Sequence, residues 1–328
     1  MEFSHTFMVP THNQAKFLPA TLDSLLAQED PRSEIVISED FSSDESMEIA
    51  QAYAARHPDK IRVTRPPEHK GMFPNWNWGI GLARTQWVSV MGSDDIALPN
   101  FTGTIGDGVA RSEKAIVVCA DWDFIDGDGK FLSSEKLLSM PDVTHPPETF
   151  YHLVPANKIH PAAHAFRLDT WKKVGGFPET VNYYGDWAFW LTVSPFGDFV
   201  HMRRTIARYR VNYRSGIVAQ RMHQQCADEV TMQMQLIPAV AAHIPDVQQS
   251  RLADAGKRRL RGMLHDLGKD CPPAERPGIG RIVEPWARAL GQQSTRLVER
   301  FSAGSDIDLG WFETYVRQPA RRVYKAIR

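Results

Sequence analysis

Only three cysteines occur in the 328 residues, Cys119, Cys226 and Cys271, widely spaced and odd in number. They form neither a Cys-x-x-Cys pair nor a disulfide framework, which points to a reducing compartment. Long apolar runs are missing too: none approaches the roughly 18 residues needed to span a bilayer. Met1-Glu2-Phe3-Ser4-His5 lacks the basic segment and apolar stretch of a secretory signal. Charge of one sign is not in excess. The 38 Lys+Arg against 39 Asp+Glu leave a net charge of −1, so no global field advertises nucleic acid or an acidic partner. No GxGxxG follows the first strand, which argues against a dinucleotide fold, and the absence of GxxxxGK[ST] argues against a P-loop. There is no internal repeat and no low-complexity tract. The expectation is a cytoplasmic protein, in solution or peripheral at the inner face of the membrane, with no nucleic-acid partner.

What is present is organised around Trp87-Val88-Ser89-Val90-Met91-Gly92-Ser93-Asp94-Asp95-Ile96-Ala97-Leu98-Pro99. Its first half reads as a short buried strand, stopped by Gly92-Ser93. Two aspartates at the carboxyl end of a buried strand lie where open α/β sheets bind ligands. Carboxylates suit hard cations such as Mg²⁺ or Mn²⁺, which in turn hold phosphates. The competing reading is that Asp94 and Asp95 cap the helix that Pro99 would start.

Around this stretch the chain alternates. Phe7-Met8-Val9 is a strand, and Leu18, Leu22, Leu25 and Leu26 mark a helix. Ile35-Val36-Ile37 is the next strand; Ser42 and Glu45 have capping-box spacing, predicting a helix with Met47, Ala50 and Ala54 on its apolar face. Ile61-Arg62-Val63 is the third strand, residues 76–83 the next helix, and Trp87–Met91 the fourth strand. This βαβαβαβ pattern predicts an α/β fold with a mostly parallel sheet flanked by helices. A helix is expected over 101–111 and a strand over Ala115–Ala120.

Asp121-Trp122-Asp123-Phe124-Ile125-Asp126-Gly127-Asp128-Gly129-Lys130 has the wrong spacing for an EF-hand, so a hairpin turn at Asp-Gly is expected, with Asp121 and Asp123 a lower-ranked metal site. Residues 131–155 read as irregular. His160 to Phe166 resumes as a strand, and its histidines, His160 and His164, either line a pocket or sit in the core. Gly175-Gly176 is a tight turn. Trp187, Trp190 and Leu191 predict a buried helix starting at or after Asp186, where the carboxylate is either a helix cap or a general base kept ionised. Strands are expected at Phe199–Met202 and Ile206–Val211. Arg210, with Tyr209, Tyr213 and Arg214, either closes over a pyrophosphate or belongs to a solvated edge strand. From about Val218 on, helices are expected. The last, from Trp311 to Arg328, is basic and aromatic, suited to an anionic membrane surface, its own domain or a homodimer partner.

Several motifs together carry a resemblance. Phe7-Met8-Val9-Pro10-Thr11-His12-Asn13, Ser38-Glu39-Asp40-Phe41-Ser42-Ser43-Asp44, Asn77-Trp78-Gly79-Ile80, Gly175-Gly176-Phe177-Pro178-Glu179 and Asp186-Trp187 occur in one order. Over about two-thirds of the chain they resemble the inverting, GT-A-fold glycosyltransferases of family 2. His12 replaces a usual tyrosine, Gly92 stands where a first metal-binding aspartate often lies, and Gly185 replaces a glutamate beside the base. The resemblance implies a GT-A domain over 1–216, with a nucleotide-binding half at about 1–120 and an acceptor half at about 121–216. A helical region would follow over 217–328.

The resemblance also implies that Pro10, Thr11, Asn13 and Asp40 bind the nucleotide of a nucleotide-sugar donor, UDP-sugar foremost. Lys70, Asn77, Ser93, Asp94 and Arg210 would lie on the same nucleotide. Asp94 and Asp95 would hold Mn²⁺ or Mg²⁺, and Asp186 would be the catalytic base toward a glycan or glycolipid acceptor in cell-surface polysaccharide or lipopolysaccharide synthesis. The runner-up is an inactive nucleotide-sugar-binding scaffold. A sugar-phosphate nucleotidyltransferase would need a glycine-rich phosphate loop, and Pro10–Lys16 has no glycine.

Overall fold

The computed structural model describes residues 3–136, 140–211, 218–305 and 307. The chain divides into two units. The first takes the residues up to Pro146, Lys158–Glu179, and Phe196 to the end of the last strand. The second takes Pro147–Asn157, Thr180–Pro195 and the helices from Val218 on.

In the first unit, β1 (His5–Thr11), β2 (Ser33–Glu39), β3 (Ile61–Thr64) and β4 (Trp87–Val90) run parallel in the order β3-β2-β1-β4. Phe7, Met8 and Val9, and likewise Ile35, Val36 and Ile37, are buried in unbroken runs. Consecutive burial means that both faces of the sheet are covered, as crossover helices require. Those helices are Leu18–Leu26, Ser46–Arg56 and Met72–Ile80. In the first, Leu18, Thr21, Leu22 and Leu25 form the buried stripe, and Pro19 sits in its opening turn. The expected βαβαβαβ order holds here.

Past β4 the sheet becomes mixed. It contains β5 (Ile96–Ala97), β6 (Ala115–Ile125), β7 (Phe131–Glu135), β8 (Val143–Thr144), β9 (His164–Arg167) and β10 (Asp198–Arg210). β9 lies antiparallel between β4 and β6, and β10 runs parallel to β6. β5 and β8 pair antiparallel with β10. β6 and β7 form the expected hairpin. Asp126 makes its turn by accepting the amides of Asp128 and Lys130, each at 2.9 Å.

Several expectations change. β6 runs five residues further than predicted, through Asp121-Trp122-Asp123. The two strands expected near 199–211 are one strand, whose register slips on either side of Thr205. Such bulges absorb extra residues without ending the strand, so a break in alternation looked like a turn. Arg203 and Arg204 point outward there, onto Asp142 and Asp107. The stretch 131–155 contains β7, β8 and a helix, Glu148–Leu153, that starts just after Pro147. β9 starts only at His164, because His160–Ala163 forms a hydrogen-bonded turn. The helix expected from the Ser42/Glu45 capping box begins at Ser46 with no side-chain cap. The Ser42 hydroxyl instead accepts the Asn13 amide at 3.0 Å.

The second unit is helical. Val218–Thr231 leads through a π-helical segment, Met232–Leu236, into Ile237–Ala241. Gln249–Asp270, Arg276–Leu290 and Gln292–Ser302 follow. Leu260, Leu264, Ile279, Val283, Trp286 and Phe301 anchor their shared core. This unit reaches back beyond the expected 216/217 boundary to include 147–157 and 180–195. The reason is the helix Gly185–Val193, where Trp187, Ala188, Phe189, Trp190, Leu191 and Val193 are all buried. A helix apolar on every side must be enclosed, and the helix Glu148–Leu153 and the segment 232–241 pack against it. Among the described residues no helix is long and apolar enough to cross a membrane. The basic terminal helix and the Tyr213-Arg214 pair lie outside the described residues.

Candidate active site

Because β1, β2 and β4 are parallel and in register, their carboxyl ends reach one edge of the sheet. Thr11 pairs with Glu39, and the Met91 amide bonds the Met8 carbonyl at 2.9 Å. Two loops leave this edge and lock together. Asn13, at φ 53°, accepts the Ser43 amide at 2.8 Å. Asp44 accepts the Ala15 amide, and the Ser46 hydroxyl accepts the Gln14 amide. Buried Glu39 accepts from Ser42 and pairs with Arg65. Burial opposes its charge, yet those partners outweigh it and lower its pKa. Asp40, 2 % exposed, is held by backbone: its two oxygens accept the Lys70 and Gly71 amides, each at 2.8 Å. Its carbonyl meets the rings of His12 and His69. Pro10 and buried Thr11 end β1 beside these loops.

Gly92–Asp95 is a turn closed by the Asp95 amide on the Gly92 carbonyl. Ser93 is buried within it. Asp94 and Asp95 cap no helix, since β5 intervenes and the next helix begins at Phe101 with Asn100 before it. Asp95 is 2 % exposed; one oxygen accepts the Arg210 amide at 2.9 Å, and its carbonyl accepts the Thr21 hydroxyl. Burial and then the Asp94 charge raise the Asp95 pKa well above the usual range. The two carboxylates converge: a Cβ built on Gly92 would stand 2.6 Å from Asp95 Oδ2 and 3.1 Å from Asp94 Oδ1. That explains the glycine, since the carboxylates already occupy the space of a side chain at 92.

Two convergent carboxylates, one buried and carrying unfavourable charge, form a hard-oxygen donor set that fits Mg²⁺ or Mn²⁺. Among the described residues no group of three or more His, Cys, Asp or Glu is arranged to hold a metal. The remaining oxygens would therefore come from a ligand, as phosphates supply them in many Mg²⁺ sites. The rival Asp121 and Asp123 are otherwise engaged. Asp121 bonds His201 at 2.9 Å in the core, and Asp123 accepts the Ser134 hydroxyl.

Other expected site residues make contacts within the protein. Arg210 gives its Nε to the Asp94 carbonyl at 2.8 Å and its Nη1 to the Asp126 and Gly127 carbonyls. It also lies over the Phe17 ring. Asn77 donates to the Phe177 carbonyl and accepts its amide at 2.8 Å, tying the glycine turn to its helix. Gly176 has φ 95°, and a Cβ there would strike Asn77 Oδ1 at 2.7 Å. Lys70 pairs with Glu68 at the surface.

Asp186 belongs to the second unit. It sits in the first turn of Gly185–Val193 and is 8 % exposed. Oδ1 accepts the Trp187 amide at 2.7 Å, and Oδ2 accepts the Asn157 side-chain amide at 2.9 Å. Burial pushes its pKa up to about 6, against those two bonds. It remains mostly ionised at neutral pH while being more basic than a surface carboxylate. His160 stacks on Trp122 in the first unit with centroids 4.5 Å apart, an aromatic packing role. Sequence reasoning missed Asn157, Glu39 and Arg65. The first lies in a proline-rich stretch with no motif; Glu39 stood inside the quoted motif at the end of β2 but was given no role of its own, and Arg65 carried only the signal of a charged residue beside a strand end.

Known proteins are similar to this chain in sequence and in fold. The family model for Glycosyl transferase family 2 matches residues 6–168. Glycosyltransferase GlyG of Streptococcus pneumoniae is 27 % identical over 124 residues, 38 % of this chain and 41 % of the relative. The succinoglycan biosynthesis protein ExoO of Rhizobium meliloti is 30 % identical over 145 residues, 43 % of this chain and 40 % of the relative. The chain thus spans about two-fifths of the length of these curated relatives. S. aureus TarS 1-349 in complex with UDP superposes with a TM-score of 0.69 at 16 % identity, over 94 % of this chain and 89 % of that one. The mannosyltransferase PcManGT from Pyrobaculum calidifontis, in complex with GDP-Man and Mn²⁺, gives 0.54 at 16 %, over 93 % and 86 %. The fold is the GT-A fold of these neighbours, a mixed sheet flanked by helices with C-terminal helices added. Sequence match, motif order and fold agree, and the chain belongs to glycosyltransferase family 2.

Proposed function

We propose that this enzyme moves a sugar, with inversion, from a nucleotide-sugar donor to a hydroxyl of a glycan or glycolipid acceptor. The observation that carries the reading is the convergent Asp94–Asp95 pair at the carboxyl end of β4, beside the interlocked β1 and β2 loops. UDP-sugar is the favoured donor, because TarS was solved with UDP and with UDP-GlcNAc; GDP remains an alternative through PcManGT. The polysaccharide role of a relative such as ExoO favours a cell-surface glycan as the product, made on the cytoplasmic side.

Pro10, Thr11, Asn13 and Asp40 receive the nucleoside in this reading, beside two loops already hydrogen-bonded to each other. Lys70, Asn77, Ser93 and Arg210 shape the surrounding wall. Asp94 and Asp95 would hold Mg²⁺ or Mn²⁺, which offsets charge on the departing diphosphate. The acceptor oxygen forms a bond to the anomeric carbon as the bond from that carbon to the phosphate oxygen breaks. Asp186 takes the acceptor's proton, and the nucleoside diphosphate leaves with the bonding electron pair. The transition state resembles the oxocarbenium ion of glycoside hydrolysis.

Calorimetric titration of UDP and GDP, with Mn²⁺ and then with EDTA, tests the donor half. Metal-strengthened binding that is lost in Asp94→Ala supports it. No binding of any nucleoside diphosphate overturns it. Binding without turnover in any sugar panel would move the scaffold reading ahead.

A further inference from the structure

We infer that Arg259, Glu229 and Asp228, all on the C-terminal helices, are positioning residues for Asp186. The inference rests on the reading of Asp186 as the base. Glu229 is fully buried, and Arg259 is largely so. One Glu229 oxygen takes both Nε and Nη2 of Arg259, at 3.0 and 2.6 Å, and the other accepts from Gln233. A buried ion pair is weak evidence of stabilisation, since desolvation offsets its attraction. What this pair does have is an address. The Arg259 guanidinium lies 5.0 Å from the Trp187 ring centroid and 5.9 Å from that of Tyr184. The two rings meet edge to face at 5.5 Å.

Asp228, 2 % exposed, adds a second hold by accepting the backbone amide of Tyr183. Tyr184 immediately precedes the helix, and its carbonyl takes the Ala188 amide at 2.8 Å. Fixing residues 183, 184 and 187 therefore fixes the first turn. Asp186 sits inside that turn, with the Trp187 amide on its Oδ1. On the far side, the Trp187 indole donates to the Leu153 carbonyl at 2.8 Å, and that segment runs on to Asn157. The C-terminal helices thus hold the base from behind by two aromatic faces and one amide.

The test uses the full chain labelled with ¹³C at aspartate carboxyls, the Asp186 signal being identified by its loss in Asp186→Asn. In the wild type that carboxyl should titrate near pH 6. In Arg259→Gln the Trp187 amide is no longer held on Oδ1, so the midpoint rises. With a working donor and acceptor, kcat should fall roughly 10- to 100-fold, as expected for a misplaced group, while donor KM stays within about twofold. The acid limb of kcat should move to higher pH with the titration. The double variant Glu229→Leu/Arg259→Met removes the buried charges together and should recover thermal stability without recovering kcat. An unchanged Asp186 midpoint in both variants, or kcat returning along with stability, overturns the inference. Full turnover in Asp186→Asn would overturn the reading of the base instead; the titration still judges the positioning, because it needs no substrate.

Discussion

Asp95 and Asp186 are both buried aspartates with raised pKa values, but they differ in what surrounds them. Asp95 is raised by burial and by the charge of Asp94, with the backbone amide and the positive charge of Arg210 against them. Asp186 is raised by burial alone, opposed by the Trp187 amide and the Asn157 side chain. The first pairs two negative charges, which under the proposed reading a cation would relieve further. The second is one carboxylate between two donors, which under the same reading would suit a base that holds and releases a proton. On that proposal, neighbours prepare the same residue type for two tasks.

Predictions follow the size of the effect. The largest separates the roles: Asp186→Asn should lower turnover by roughly 10²- to 10⁴-fold and leave nucleotide binding intact by calorimetry. Next comes stability. The Asp186 pKa is raised when folded, so its stabilising contribution is full below the unfolded value near 3.9 and is lost as pH rises through about 6. At pH 8 the ionised form costs up to about 3 kcal/mol. Asp186→Asn should then be more resistant to urea than wild type at pH 8, with the gap closing by pH 4; an equal gap at both pH values would refute the tuning. Third, Asp94→Ala should weaken metal-dependent nucleotide affinity by at least about tenfold, with little change in EDTA. The smallest effect is Asn157→Ala, where loss of a donor to Oδ2 should move the acid limb of kcat above pH 6.

The sequence shows the first unit more clearly than the second. β1 to β4 are short apolar runs cut by polar turns, so their order and edge loops could be read directly. The acidic pair was legible because it ends such a strand. β9 and the bulged β10 were not, since an antiparallel insertion and a register slip leave no local mark. Asn77 shows another limit: its motif could be recognised, while its bonds to Phe177, a hundred residues away, could not. The partnership of Asn157 with Asp186 was hidden for the same reason. The membership of 180–195 in the helical unit depends on enclosing an all-apolar helix, which only three-dimensional neighbours reveal.

Gly92 has a consequence for how this site can change over time. Asp95 already fills the room of a side chain at 92, and the Arg210 amide pins its other oxygen. A side chain at 92 would overlap the Asp95 carboxylate, so Asp95 has to shift before position 92 can accept one. Substitutions at 92 and 95 are therefore coupled: a smaller residue at 95 opens the room that a side chain at 92 would need.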